Sequence, residues 1–303
     1  MPSLPKKLRR AADRHSVPVR LVLLLALAAL LALCWRWGSG AAYRRAVTVP
    51  IAPDTLRADF SRLEISAADR DTDDARAKRV SLDDAAQELA ITSGGDYLLT
   101  GALDGTIRID AHDEIVHLFL DGVRVTGHGG PALLVEDADR VIVTLMPDTE
   151  NSLSDSGDYR DAGDADACVY SACDLTFNGT GRLSITGLYQ DAVHCRDALK
   201  IVDGTYRVES KRSGLRGNDG VHIAGGECFI GSEKYGLRTT KQGEDGRGDI
   251  LVHDCTLRIV AGRYAFVADR ADAYLYSAEV LTNSVIDDFS VQGRTVVEDG
   301  CMQ

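Results

Sequence analysis

The stretch VHCRDALKIVDGTYRVES, Val193 to Ser210, sets the architecture of this chain. An apolar residue and a few polar ones lead into a short apolar strand. An Asp-Gly turn follows, and then a second strand of alternating character. The same cassette returns as LRGNDGVHIAGGECFIGS from Leu215 to Ser232, and an earlier copy, VYSACDLTFNGTGRLSIT, runs from Val169 to Thr186. The anchors Val169, Val193, Leu215, Leu237 and Phe266 stand 24, 22, 22 and 29 residues apart. The widest gap holds the polar insert KQGEDGRG, Lys241 to Gly248. A period in the low twenties made only of short strands and tight turns predicts an all-β parallel solenoid.

Working outward, the segment before the anchors has the same texture. GDYLLTGALDGTIRID from Gly95 and HLFLDGVRVTGHGGPALLVEDADRVIVTLM from His117 alternate at period two between Gly- and Asp-rich turns. The solenoid is expected over residues 94–281, with a linker and N-terminal cap at 38–93 and a tail at 282–303. A short amphipathic helix over Ser81 to Leu89, with Ser81 as its N-cap, is expected to shield the first sheet edge. The acidic segment Pro147 to Asp166 carries six Asp and one Glu in twenty residues. It reads either as a solvated loop or as a calcium-collecting one.

The N-terminus differs from the rest. Leu21 to Trp35 are fifteen apolar residues without a charge, behind Lys6, Lys7, Arg9, Arg10, Arg14 and Arg20. We read 1–20 as a basic cytoplasmic segment and 21–37 as a transmembrane signal anchor or a cleaved signal peptide. The rest is then extracytoplasmic, at the cell surface or secreted. The first forty residues hold seven Lys/Arg against one Asp, so without them the formal charge falls from −12 to −18. That disfavours nucleic acid as a partner. Six exported cysteines show no CxxC spacing, which argues against zinc. Cys228 and Cys255 open matching strands, and are either a disulfide between stacked coils or a reduced interior pair.

Stacking turns sequence offsets into columns. One residue after each anchor come Tyr170, His194, Arg216, Arg238 and Val267; three residues before stand Arg212, Lys234 and Arg263. Both columns are expected to point outward, giving an acidic domain a local basic strip. With Tyr235 and Tyr264 as stacking surfaces, the strip is a candidate carbohydrate site. The alternative is a solvated strand face whose cations pair with nearby Asp.

Several motifs together resemble the bacterial carbohydrate-binding β-helix proteins. They are Gly95-Asp96-Tyr97-Leu98-Leu99-Thr100-Gly101, Leu118-Phe119-Leu120-Asp121-Gly122-Val123, Thr149-Glu150-Asn151-Ser152-Leu153-Ser154-Asp155 and Asp174-Leu175-Thr176-Phe177-Asn178-Gly179-Thr180-Gly181. The repeats Asp191-Ala192-Val193, Gly214-Leu215 and Gly236-Leu237 complete the likeness. The resemblance implies a right-handed parallel β-helix related in fold to pectate lyases. It also implies calcium and binding of cellulose-like or acidic polysaccharide without an established catalytic activity. The family's acidic residue two before the anchor survives only as Asp191; Ala167, Ser213, Tyr235 and Tyr264 replace it. Asp191, Asp197 and Asp219 are the remaining candidate ligands, though Asp in such turns also bonds its own backbone. A uronate lyase using Arg216, Arg238 or Lys211 as base is the enzymatic alternative, and a hydrolase would need Asp191 opposite Asp197 or Asp219. A ligand-free surface stalk is the third possibility. The protein is expected to be a monomer.

Overall fold

Each turn of the chain supplies three short strands, and each strand hydrogen-bonds in parallel to its equivalent one turn away. The computed structural model describes residues 63–160, 163–241, 248–269, 271–298 and 300–302. The coil of the opening motif contributes Asp191–Cys195, Ala198–Ile201 and Thr205–Ser210. These belong to three walls, which we call faces 1, 2 and 3. Face 1 is a nine-stranded sheet from Glu88–Ile91 to Asp287–Val291. Faces 2 and 3 are joined into one sixteen-stranded sheet. The long strands Gly95–Asp104 and Ile115–Gly129 bridge them, each pairing first on face 2 and then on face 3. No helix among the described residues is long and apolar enough to cross a membrane. The expected spanning segment at 21–37 lies outside the described residues.

The anchors fall in one buried file. Val169, Val193, Leu215, Leu237 and Phe266 are consecutive partners, continued by Leu133 before and Phe289 after. All five anchors are at most 1% exposed. At roughly 25 cal/mol per Å2 of apolar surface, such files supply most of the driving force, gained coil by coil. Directly before the anchors comes a file of small residues: Cys168, Ala192, Gly214, Gly236 and Ala265. These also point inward, because a Cβ on Gly214 would lie 2.3 Å from Ile230 Cγ2 and one on Gly236 2.5 Å from Ile259 Cγ2. Two successive inward residues break the alternation, so the positions two before and one after each anchor both face out from face 1.

Several expectations are corrected. Among the described residues, strands run from Lys78 to Val297, past the expected 94–281 on both sides. No helix forms over Ser81 to Leu89. Instead, Lys78–Ser81 pairs with Tyr97–Thr100, Leu82–Asp84 make one 3-10 turn, and Glu88–Ile91 pairs with Thr106–Ile109. Sheet pairing and the burial of Leu82 override helix propensity there. The acidic segment is not mainly a loop: Glu150–Tyr159 is a face 3 strand with Asn151, Leu153 and Asp155 buried. Asn151 Oδ1 accepts from Val123 N–H at 2.8 Å, and its amide donates to the Arg182 carbonyl at 3.2 Å. Cys228 and Cys255 do not share a file, since Cys228 pairs with Leu257; both are free.

Two further features shape the faces. The chain from Leu63 to Asp71 lies along the outside of face 2 as a strap. Lys200 Nζ donates to the Glu64 carbonyl at 2.9 Å, Thr176 Oγ1 to Asp69 Oδ1 at 2.7 Å, and Asn178 Nδ2 to the carbonyls of Asp69 and Asp71, both at 2.9 Å. The polar insert leaves at the corner between faces 1 and 2. Lys241 N–H donates to the Asn218 carbonyl at 3.1 Å and Gly248 N–H to the Asp219 carbonyl at 2.7 Å.

Candidate carbohydrate site on face 1

The two outward columns of face 1 lie side by side and divide into two halves of different character. In the coils of Ala167–Ser171, Asp191–Cys195 and Ser213–Gly217, carboxylates and guanidinium groups neutralise each other. Asp191 is fully buried. Its Oδ1 accepts from Arg212 Nε at 2.7 Å and from Ser213 N–H at 2.8 Å, and its Oδ2 takes Arg212 Nη2 at 2.5 Å. Arg212 also pairs with Asp166 and donates to Gln190 Oε1 at 2.5 Å. Arg216 Nη1 lies 3.3 Å from Asp166 Oδ2 and 3.5 Å from Asp191 Oδ2.

His194 Nδ1 meets Asp166 Oδ1 at 2.5 Å, and its Nε2 faces Asn218 Oδ1 at 3.3 Å. Tyr170 packs edge-on against His194, centroids 5.3 Å apart. Burial penalises the Asp166 carboxylate, but His194 and Arg212 outweigh it and hold the group well below the usual range. Arg216 is shifted down, chiefly by burial. Asp191 and Asp166 together hold Arg212 above its ordinary value against that same penalty.

The following coils are open. Tyr235 and Tyr264 are direct register partners, and their rings lie 6.4 Å apart within 10° of parallel. The Arg238 guanidinium sits 5.1 Å from the Tyr235 centroid, an arrangement that holds the cation beside the ring. Arg238 Nε is buried against the coil and finds no hydrogen-bond partner. Lys234 and Arg263 are exposed at the margin of this half.

The strip expected from spacing is therefore real as a column and only partly available. Tyr170 and His194, at 6% exposure each, are covered, and Arg212 and Arg216 are committed to Asp166 and the buried Asp191. Arg238, Tyr235, Tyr264 and Lys234 remain accessible. Asp166 was hidden in the segment expected to be a loop. Its position three before Val169, the column of Arg212 and Lys234, is the signal that reveals it.

The expected metal ligands do not form one site. Asp191 belongs to face 1, whereas Asp197 and Asp219 stand at the corner of faces 1 and 2. There they line a cleft of about 420 Å3 with Asp139, Asp174, Lys200 and the strap's Glu64. Burial raises the carboxyl groups of Asp174 and Asp197, and the charge of Asp219 raises both further. Asp219 pairs with Lys241. Among the described residues, two groups bring three ligand atoms within 4.8 Å: Asp110–His112–Asp137 and Asp166–Asp191–His194. A cation in the second would have to displace Arg212 and Arg216. The surroundings of Asp191 therefore do not fit calcium, and the corner cleft, which gathers carboxylates beside Arg140 and Lys200, is not one of the two converging groups.

Comparison with known proteins agrees with this architecture. A family described as carbohydrate-binding domain-containing protein matches residues 85–296. A carbohydrate-binding domain-containing protein of Acetivibrio thermocellus is 30% identical over 130 residues, which cover 41% of this chain and 46% of that protein. The match thus spans just under half of that relative's length. A solved polysaccharide lyase-like protein from C. thermocellum, a gadolinium derivative, superimposes with a TM-score of 0.69 at 27% identity. It covers 71% of this chain and 89% of its own.

Proposed function

The chain belongs to the family of carbohydrate-binding domain-containing proteins, and from that membership we propose that face 1 binds polysaccharide without cleaving it. The observation that carries the reading is the open half of the site: two nearly parallel tyrosines one coil apart, with Arg238 against the first. Sugar rings offer apolar C–H faces to such rings, and a uronate carboxylate suits a half-exposed guanidinium. The two rings stand on adjacent coils along one open face, which matches an extended polymer better than a small solute. The apolar segment at 21–37 and its basic flank support an extracytoplasmic place for this domain, membrane-anchored or secreted. The acidic charge of the remainder supports a glycan over a nucleic acid. Nothing in the binding geometry requires a second copy, and we propose a monomer.

Calcium belongs, in this reading, to the corner cleft. Asp139, Asp174, Asp197 and Asp219 would have to draw together to hold it, with Lys241 leaving Asp219, and the cation would relieve the crowding that raises Asp174 and Asp197. Retention of the purified protein on insoluble cellulose and on polygalacturonate gels tests the glycan reading. Replacing Arg238 or Tyr264 by Ala is expected to lower retention by about tenfold. Equal retention of both variants and the parent would remove face 1 from the site. One observation favours a second reading, a lyase: burial shifts the Arg216 guanidinium down, the direction a general base needs, although Asp191 and Asp166 oppose it. Ultraviolet absorbance from unsaturated uronate during the same incubation would support it; a flat trace supports the binder.

A further inference from the structure

Two tyrosines outside the strip meet where face 3 turns into face 1. Tyr159 ends the strand Glu150–Tyr159, and Tyr189 stands in the turn just before Asp191. Their rings stack with centroids 4.2 Å apart and planes 12° from parallel. Tyr159 is fixed from beneath, its hydroxyl 2.6 Å from the Ala167 carbonyl and 3.1 Å from Asp155 Oδ2. Asp155, at 1% exposure, also accepts from Gly157 N–H at 3.1 Å and from Leu188 N–H at 2.8 Å. One buried carboxylate thus ties the strand to the turn that carries the second ring.

Tyr189 itself is 39% exposed, and Leu188 beside it 47%. With one ring face occupied by Tyr159, the exposed surface of Tyr189 is its outer side. A ring already held by stacking has little rotamer freedom left to lose when a ligand arrives. The next residue, Gln190, accepts a hydrogen bond from Arg212, so the platform adjoins the charged half of face 1.

We infer that Tyr189, backed by Tyr159, is a stacking platform for a pyranose ring of the bound glycan, and that the site continues around the corner from face 1. The inference rests on the proposal that face 1 binds polysaccharide. It adds a subsite that recognises the apolar face of a sugar and is indifferent to charge.

Retention of the full-length protein on insoluble cellulose and on polygalacturonate tests it, with Tyr189→Ala, Tyr189→Leu and Tyr189→Phe beside the parent. The Ala and Leu variants are expected to lose about tenfold on both matrices, while Phe keeps parental retention and all melt at the parent's temperature. Leu still covers Tyr159 but offers no π face, so its loss separates stacking from simple packing. Parental retention by the Ala and Leu variants, with binding still lost in Tyr264→Ala, overturns the Tyr189 subsite and leaves face 1 standing. A parent that neither matrix retains overturns both.

Discussion

Asp249 shows how far a single side chain departs from its behaviour in water when a coil closes over it. It is 5% exposed, its Oδ1 accepts from Asp272 N–H at 2.8 Å, and burial, with Asp272 nearby, pushes its carboxyl up to about 6. A folded-state value above the ordinary 3.8 means that ionisation is penalised in the native state. Stability is lost as pH rises through about 6, and the penalty disappears below about 4. Asp249→Asn keeps the acceptor and removes the charge. Chemical denaturation is expected to show a gain of about 1–3 kcal/mol above that range and none below it. At this scale the sequence was informative about position and silent about state. The offset from the anchors found Arg212, Arg216 and Arg238. Only the fold reveals that Asp166 and Asp191 occupy the first two. Tyr159 and Tyr189 carried no periodic signal, because they meet across a corner.

The strap over face 2 is an element whose hold depends on pH. His222 Nδ1 lies 2.5 Å from the Leu63 carbonyl, its Nε2 2.8 Å from His253 Nε2, and His253 Nδ1 2.8 Å from Asp254 Oδ2. With Nδ1 donating to the Leu63 carbonyl, neutral His222 keeps Nε2 as the acceptor that faces His253 Nε2. A further proton would set two N–H groups against each other. Burial lowers His222 to about 4, and Lys200, Arg70 and His253 push in the same direction, while the Leu63 carbonyl opposes them. Tyr276 stacks on His253, centroids 4.8 Å apart. Because the folded value lies below the ordinary 6.5, this contribution is intact above 6.5 and is lost as pH falls toward 4. Amide exchange in Leu63–Asp71 is expected to quicken over that window, and His222→Gln to flatten the response. The strap itself was not legible in the sequence, since its contacts span more than a hundred residues. The helix expected at Ser81–Leu89 failed for a related reason. Local spacing favoured it, while partners at Tyr97–Thr100 and Thr106–Ile109 decided otherwise.

Across the whole domain, stability is a sum over coils and their neighbours. Leu237→Ala would open a cavity in the middle of the anchor file and is expected to cost about 2–5 kcal/mol. Exchange protection should then fall in the coils of Leu215 and Phe266, its register partners, before it falls at Leu99, many coils away. Uniform loss of protection along the domain would contradict this nearest-neighbour picture. The period itself was the most legible property, because the same interior file must be refilled on every turn. Which wall stays open was not legible, because that depends on a strap reaching in from elsewhere in the chain. The polar insert shows what the ladder tolerates. Lys241 and Gly248 donate to consecutive carbonyls of the preceding coil, Asn218 and Asp219, so the ladder resumes in phase after the insert. That corner is a natural splice point, where a foreign peptide or a reporter loop can be carried without disturbing the tiles on either side.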